Sequence, residues 1–420
     1  GTIGIGFGAL NSLTDGARNT AIGYQAGTNL TGQVDNTFIG YQAGLDADNP
    51  GVGPQRNTYV GSLSGSQLDD GVDNTALGYN SMAGTASNGN ACQENVAIGS
   101  DSLAVLTTGD GNTALGYRAG YDVTTGGGNA LIGAEAGANV IGGADNVMVG
   151  KGAGATTTAG LNMVLVGRSA GGSGVITTAA TGTVAIGKSA LGALTSGSQN
   201  IAIGLDALGE NQTGANNTAI GYQAMHDTGN FANHYNTAIG CDALGGTWVT
   251  AASTHNTAIG NGAMNGAMNA SNDNTAIGSG GLAALTTGDS NTAVGANAGL
   301  SLNTGSDNVI IGTDAGDAMT DNAGNVAIGK EALTAADNSD DYNVAIGLQA
   351  MAGANNEGTA AYNVGIGYQS LYGGTSTGTN NVGIGRGALG SASAACDSAI
   401  AMGYGALAGA ATSDADGTVA

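Results

Sequence analysis

The segment Asn19-Thr20-Ala21-Ile22-Gly23-Tyr24-Gln25-Ala26-Gly27 recurs, with small changes, along the chain of 420 residues. With its Asn counted as position one, repeats begin at residues 2, 19, 36, 57, 74, 95, 112, 129, 146, 163, 183, 200, 217, 236, 256, 274, 291, 308, 325, 343, 363, 381, 399 and 418. Of the 23 spacings, 12 are 17 residues and the others are 18 to 21 residues. A short period of this kind predicts a repeat architecture rather than separate globular domains.

The nine-residue segment has the pattern of a short strand. Position two is mostly Thr or Val and position four is always Ile, Val, Leu or Met, an alternation typical of strands. Position five is Gly in all 23 complete repeats, as at Gly23, Gly40, Gly78, Gly221 and Gly278. Glycine inside a helix costs about 1 kcal/mol, so the repeat indicates a bend or a close backbone approach instead of a helix. The remaining residues, such as 106–110 and 285–289, are expected to form a second short strand and a turn.

Stacking of the repeats explains the Asn at position one. A single repeat buries too little to fold alone, whereas stacked coils pair with their neighbours at a strand spacing of about 4.8 Å. Asn fills position one in 19 of 24 repeats, among them Asn19, Asn36, Asn74, Asn217 and Asn274, and amides at this spacing form hydrogen-bonded ladders. We therefore predict an all-β, rod-shaped parallel β-solenoid of about 23 coils over residues 1–420, as one repetitive segment of a longer chain.

Position three bears on whether the chain is solitary. We take positions two and four as the inward-facing ones, so position three is expected to face water in a lone solenoid. It is nevertheless never charged, and it is large in six repeats, at Phe38, Tyr59, Leu131, Met148, Leu165 and Ile310. Because a strand that is apolar on both faces is buried on both faces, this favours association with further copies. The alternatives are a wide core, or a wall that is packed by the repeat's own second strand.

Composition and charge argue against several functions. The chain has 31 acidic and 8 basic residues, a net charge of −23, which disfavours nucleic acid as a partner and favours solubility. Six basic residues stand at positions six or seven, which predicts that this stretch faces solvent: Arg118, Lys151, Arg168, Lys188, Lys330 and Arg386. No apolar run approaches the roughly 20 residues of a membrane span, so no membrane insertion is expected in this segment.

No arrangement typical of catalysis is present in the sequence, so we predict a non-enzymatic protein without a cofactor. Cys92, Cys241 and Cys396 lie about eight or nine coils apart, too far for disulfides, which join Cα atoms within about 7 Å. The acidic clusters at 46–49 and 337–341 lack the ligand spacing of a calcium-binding EF-hand loop. We interpret both clusters as solvated turns.

Two consecutive repeats concentrate histidine and aromatic side chains in enlarged loops, at His226, Phe231, His234, Tyr235, Trp248 and His255. The spacing indicates no third ligand for a metal, so no metal site is predicted. Trp and Tyr favour interfaces and the faces of sugars. The candidate recognition patch is therefore Phe231, Tyr235, Trp248 and His255, with ordinary loop packing as the alternative.

The segments Asn95-Val96-Ala97-Ile98-Gly99 and Asn200-Ile201-Ala202-Ile203-Gly204 resemble the YadA-like head repeats of trimeric autotransporter adhesins. The versions at 19–26 and 217–224 also resemble repeats of phage tail fibres. The resemblance covers essentially the whole chain, although the adhesin repeats are shorter. It implies a left-handed β-roll in a homotrimer, placed outside the cell or on a virion, that gives reach, rigidity and attachment to a host receptor or glycan.

The alternative function is a monomeric solenoid that binds ice or glycans. Ice binding favours long rows of Thr. Position two changes between Thr, Val, Ile and Ala, so no unbroken Thr row runs along the chain, which counts against that function.

Overall fold

The computed structural model describes residues 1–47, 55–85, 90–177, 179–248, 250–334, 340–353, 360–373, 378–390, 397–409 and 417–420. Within these ranges the chain forms strands and turns and no helix. The predicted all-β parallel β-solenoid is confirmed, because each complete repeat contributes one three-residue strand at positions two to four. The chain divides into two compact units, Gly1–Thr213 and Gly214–Ala420, which are described separately.

The first unit contains the strands β1 (Ile3–Ile5), β2 (Thr20–Ile22), β3 (Thr37–Ile39), β4 (Thr58–Val60), β5 (Thr75–Leu77), β6 (Val96–Ile98), β7 (Thr113–Leu115), β8 (Ala130–Ile132), β9 (Val147–Val149), β10 (Val164–Val166), β11 (Val184–Ile186) and β12 (Ile201–Ile203). Neighbouring strands pair in parallel and in register, so that Val164 of β10 lies beside Val147 of β9 and Val184 of β11. Each repeat position therefore forms a column that runs from coil to coil.

The second unit contains the strands β13 (Thr218–Ile220), β14 (Thr237–Ile239), β15 (Thr257–Ile259), β16 (Thr275–Ile277), β17 (Thr292–Val294), β18 (Val309–Ile311), β19 (Val326–Ile328), β20 (Val344–Ile346), β21 (Val364–Ile366), β22 (Val382–Ile384) and β23 (Ile400–Met402). Its strands also pair in parallel with like positions side by side, as Thr218 does with Thr237 and Ala219 with Ala238.

The two faces of the strands are the reverse of those expected from the sequence. In β2 to β23 the residue at position three is buried, and the residues at positions two and four are half-buried or exposed. Position three lines the interior, including the large side chains Phe38 and Tyr59, which are fully buried and stack at 5.2 Å between ring centroids. The expectation that positions two and four point inward was wrong, and these positions form the outer face.

The interior is too thin to hold a large side chain at both position three and position nine. Position nine has a positive φ, 47° at Leu103 and 57° at Gly137, and its side chain, where it has one, is buried or half-buried. All six repeats with a large residue at position three have Gly at position nine. A Cβ added to Gly137 would lie 2.7 Å from the side chain of Leu131. A large side chain at position three therefore requires a small residue at position nine.

The expected second strand does not form. Residues 106–110 and 285–289 are irregular turns, and outside the named strands the described residues contain only four isolated bridges, such as the one between Ala144 and Leu161. The turns are nevertheless bonded from coil to coil, because the N–H groups of Thr107 and Thr108 both donate to the carbonyl of Thr124, at 3.0 and 3.1 Å. Irregular backbone of this kind satisfies its polar groups without a second sheet.

Candidate functional site

The glycine column at position five brings neighbouring coils into close contact. The φ angles of Gly23, Gly40, Gly78, Gly221 and Gly278 lie between 139° and 143°, a region that L side chains rarely adopt. A Cβ added to Gly23 would lie 2.2 Å from the carbonyl oxygen of Gly40, and one on Gly221 would lie 2.3 Å from that of Gly240. Two independent constraints, backbone conformation and space, therefore require glycine here.

The asparagine column at position one forms a buried ladder. The backbone N–H and the side-chain Nδ2 of Asn36 both donate to Oδ1 of Asn19, at 3.0 and 3.2 Å. The Nδ2 of Asn19 donates to the carbonyl of Gln33 at 2.7 Å. The same pattern joins Asn236 to Asn217 and Asn274 to Asn256 in the second unit, and the backbone N–H of Asn74 donates to Oδ1 of Asn57. These amides hold successive coils together inside the protein.

In both units the outer face of the strand ladder is uncharged, with an apolar side chain at position four and Thr, Val, Ile or Ala at position two. No repeat has a charged residue at position two or four. Position four is an aliphatic side chain or Met in every coil, and Leu77 and Leu115 are 47% and 45% exposed. A parallel sheet is normally covered on both faces, and a long apolar strip at a protein surface marks a site of association. This outer face is therefore a candidate interaction surface.

The structure separates the members of the predicted recognition patch. Tyr235 and His255 lie on adjacent coils, are exposed, and stack with their rings 4.9 Å apart. Phe231 is half-buried. Trp248 is only 3% exposed, and its indole nitrogen has no hydrogen-bond partner among the described residues. The surface at these loops is therefore a Tyr–His pair rather than a four-residue patch.

The three histidines lie in different environments. Nδ1 of His234 accepts a hydrogen bond from the backbone N–H of Ala215 at 2.9 Å, and Nδ1 of His226 pairs with the carboxylate of Asp227. In the described ranges no three residues among His, Cys, Asp and Glu are grouped in a way that would hold a metal ion.

An exposed column that the sequence analysis missed lies one residue before the Asn of each repeat. Its residues have φ angles near 60°, and none of them is β-branched. Side chains on adjacent coils pair along it, as in the ion pair of Arg18 with Asp35, whose hydrogen bond lowers the pKa of that carboxyl, and in the stack of Tyr342 on Tyr362 at 5.3 Å. The absence of β-branched residues is the sequence signal for this left-handed position.

Position six forms a second exposed column. Phe7, Tyr24 and Tyr41 stack along it with ring centroids 5.5 and 5.4 Å apart. As expected, the basic residues at this position are exposed; Arg118, at position seven, is half-buried. In the second unit, the guanidinium of Arg386 lies 5.4 Å from the ring centroid of Tyr368 and 5.5 Å from that of Tyr404. Position six therefore carries stacked aromatic side chains in some coils and basic side chains in others.

Among the described residues, the free thiols and the acidic clusters are not grouped into a metal site. Cys92 is buried, and burial raises the pKa of its thiol to about 12, while Cys241 donates a hydrogen bond to Asp242. Asp340 is fully buried and accepts a hydrogen bond from the N–H of Ala360 at 2.7 Å, so the expectation of a solvated turn is wrong for this residue. Cys396, Asp48, Asn49 and residues 337–339 lie outside the described residues.

The chain was compared with protein-family models and with curated proteins. No family model matches it, and no curated protein matches it. In the part of the chain that the structure describes, there is no helix of the length and apolarity that crossing a membrane requires.

Proposed function

We propose that this chain is a non-enzymatic structural and adhesive fibre segment, located outside the cell or on a virion, in which three copies associate through the outer faces of their strand ladders. The observation that carries the proposal is the uncharged outer face, which presents an aliphatic side chain or Met at position four of every coil in each unit. Burial of that face against other copies removes a large apolar area from water, which is the main driving force of association.

The number of copies and the location come from the resemblance to YadA-like heads and to phage tail-fibre repeats. The proposed role as a scaffold is supported by the repeat itself. The glycine column, the asparagine ladder and the balanced interior all serve contacts between coils. Specificity for a host receptor or glycan is therefore assigned to exposed side chains outside positions one to five.

Sedimentation velocity tests the trimer. We expect the wild-type chain of 40.1 kDa to sediment as a trimer at micromolar concentration. Replacement of two outer-face residues, Ile239→Lys with Ile277→Lys, is expected to yield monomers, because lysine buried without a partner in an apolar interface is strongly unfavourable. The matched control is Asn261→Lys with Ser279→Lys, which adds the same charges to exposed position six on adjacent coils.

The control variant is expected to remain trimeric, and both variants should keep the circular dichroism of the wild type. A monomeric wild type, or outer-face variants that associate as well as the control, would contradict the proposal.

A monomeric ligand-binding solenoid is the second candidate. Position two of five consecutive strands is Thr, at Thr218, Thr237, Thr257, Thr275 and Thr292, which form one row on the outer face of the second unit. Position four beside this row is Ile or Val rather than Thr. If the row binds ice, the monomer should produce thermal hysteresis that is lost in Thr257→Lys; a trimer without hysteresis favours the fibre.

A further inference from the structure

Three basic residues occupy position six of three consecutive coils in the first unit, namely Lys151, Arg168 and Lys188. Their coils carry the paired strands β9, β10 and β11. The carbonyl of Lys151 accepts the N–H of Ser169, and that of Arg168 accepts the N–H of Ser189, both at 3.0 Å. All three side chains are exposed. They form a line of positive charge with a spacing of about 4.8 Å, the distance between strands.

These three residues differ from the other five basic residues of the chain, each of which has a partner. Arg18, Arg56 and Lys330 form ion pairs with Asp35, Asp73 and Glu331. Arg118 lies over the ring of Tyr121, and Arg386 lies between two tyrosines. Among the described residues, Lys151, Arg168 and Lys188 form neither an ion pair nor a cation–π contact. The unpartnered cations are thus the ones that are adjacent to one another.

Like charges on neighbouring coils repel each other, and within the described structure none of the three cations forms an ion pair with a carboxylate. Glu135 and Asp206 stand at position seven of the adjoining coils, and they too form no ion pair with the three cations. In a protein with a net charge of −23 this line is a local reversal of charge. A bound anion would remove the repulsion that folding leaves in place.

We propose that Lys151, Arg168 and Lys188 bind a linear acidic polysaccharide through its carboxylate or sulfate groups. Such a chain repeats its anions along a line, as these coils repeat their cations. Position six of the same unit also presents Tyr117 and Tyr79, which are 53% and 55% exposed, and aromatic faces suit sugar rings. The inference rests on the proposed function, because it assigns the attachment site of the fibre.

Two other polyanions fit less well. Anionic membranes are bound by clusters of four to eight Lys or Arg residues, whereas this line has three. Nucleic acids require a basic surface extended over many phosphates, whereas this line offers three cations.

Isothermal titration of the full chain at low salt tests the site. The probes are a sulfated heparin hexasaccharide, a hyaluronan hexasaccharide that carries only carboxylates, and neutral dextran. We expect binding of at least one acidic oligosaccharide and none of dextran; the two acidic probes distinguish sulfate from carboxylate recognition. The variant Lys151→Gln with Arg168→Gln and Lys188→Gln should lose about tenfold or more in affinity, as expected when several charge-assisted contacts are removed together.

The matched control is Arg18→Gln with Arg56→Gln and Lys330→Gln, which removes the same number of charges elsewhere, and its affinity should change less than about twofold. The inference is overturned if neither acidic oligosaccharide binds, if both variants lose affinity equally, or if phosphatidylserine vesicles or duplex DNA bind more tightly than the oligosaccharides. Sedimentation of the same samples separates the two proposals: a trimer that binds no oligosaccharide overturns this inference alone, and a monomer that binds overturns the trimer alone.

Discussion

At the scale of single residues, the repeat makes two different demands on the backbone. Position five needs a φ near 140°, as at Gly221, and only Gly occurs there. Positions seven and nine and the residue before the Asn need φ near 50–60°, which Gln223, Met225 and Tyr235 adopt. Left-handed residues other than Gly cost about 1–2 kcal/mol each. Residues other than Gly nevertheless occur at these left-handed positions. They are absent from position five, where the neighbouring coil leaves no room for a side chain.

The contrast between Gly221 and Gly262 makes the point testable. Both have positive φ, but an added Cβ at Gly221 would lie 2.3 Å from the Gly240 carbonyl oxygen, whereas one at Gly262 has no atom within 4 Å. Gly221→Ala should lower the free energy of unfolding by at least about 3 kcal/mol, because the coils must separate. Gly262→Ala should cost about 1 kcal/mol. Thermal denaturation followed by circular dichroism compares them, and equal losses would show that spacing between coils does not matter.

At the scale of the coil, the strand packs against the side chain at position nine, and the two form one structural element. Where position three is Gly, as at Gly365, an added Cβ would lie 3.2 Å from Leu371 of the same coil and 2.8 Å from Met351, the position-nine residue of the preceding coil. Where position three is Leu131, the residue six positions later is Gly137. Because the interior is closely packed, the side chains at these two positions together fill a nearly fixed volume.

Exchange of the two volumes within one coil tests this balance. Leu131→Ala alone should destabilise the protein by about 3 kcal/mol through a cavity, and Gly137→Leu alone by about 2 kcal/mol through overpacking. In the double variant the leucine introduced at position 137 no longer meets the side chain of Leu131, so the loss should be at least about 2 kcal/mol smaller than the sum of the two single losses. The loss should not vanish, because an added Cβ at Gly137 also lies 3.1 Å from the sulfur of Met148 on the next coil. Urea denaturation of all four proteins measures the coupling. Losses that simply add would mean that the two side chains do not share space.

The strands and their stacking were predictable from the sequence, whereas the orientation of the strands was not. The spacing of the Asn and Gly residues predicted the strands and the stacked coils, because both demand a fixed register. The orientation of the strand was not recoverable from alternation, since a period of two does not say which face is inside. The β-branched residues at positions two and four suggested a core, yet the interior is filled by Ala21, Phe38 and Leu103. The pairing of large residues at position three with Gly at position nine was the signal that favoured the correct orientation.

The candidate sites, too, could be predicted only in part from the sequence. The loops around Tyr235 and His255 were found from their unusual composition, and the structure adds the stacking of these rings. The burial of Trp248 depends on how the enlarged loop folds, which no repeat pattern specifies. Identifying the line of Lys151, Arg168 and Lys188 as a site required the strand register and the partners of the other basic residues, and both come from the structure. Position alone predicted only that these side chains face solvent.

At the scale of the whole molecule, the two proposed interactions involve surfaces of different physical character. The outer strand face carries no charge and is apolar at position four, so its proposed contribution to association is hydrophobic. The rest of the surface contributes a net charge of −23, which opposes the approach of identical copies. The line of Lys151, Arg168 and Lys188 is attractive only to anions. Salt should therefore act on the two proposed interactions in opposite directions.

Sedimentation equilibrium at about 10 and 300 mM NaCl tests this. The Debye length falls from about 30 Å at 10 mM to well below 10 Å at 300 mM, so repulsion between copies weakens while the apolar contact is retained. The association constant of the trimer should rise at least several-fold with salt. Over the same range, the affinity for the acidic oligosaccharide should fall, because its contacts with the three cations are screened. Trimers that dissociate as salt is raised would indicate that ion pairs, rather than the apolar outer face, hold the copies together.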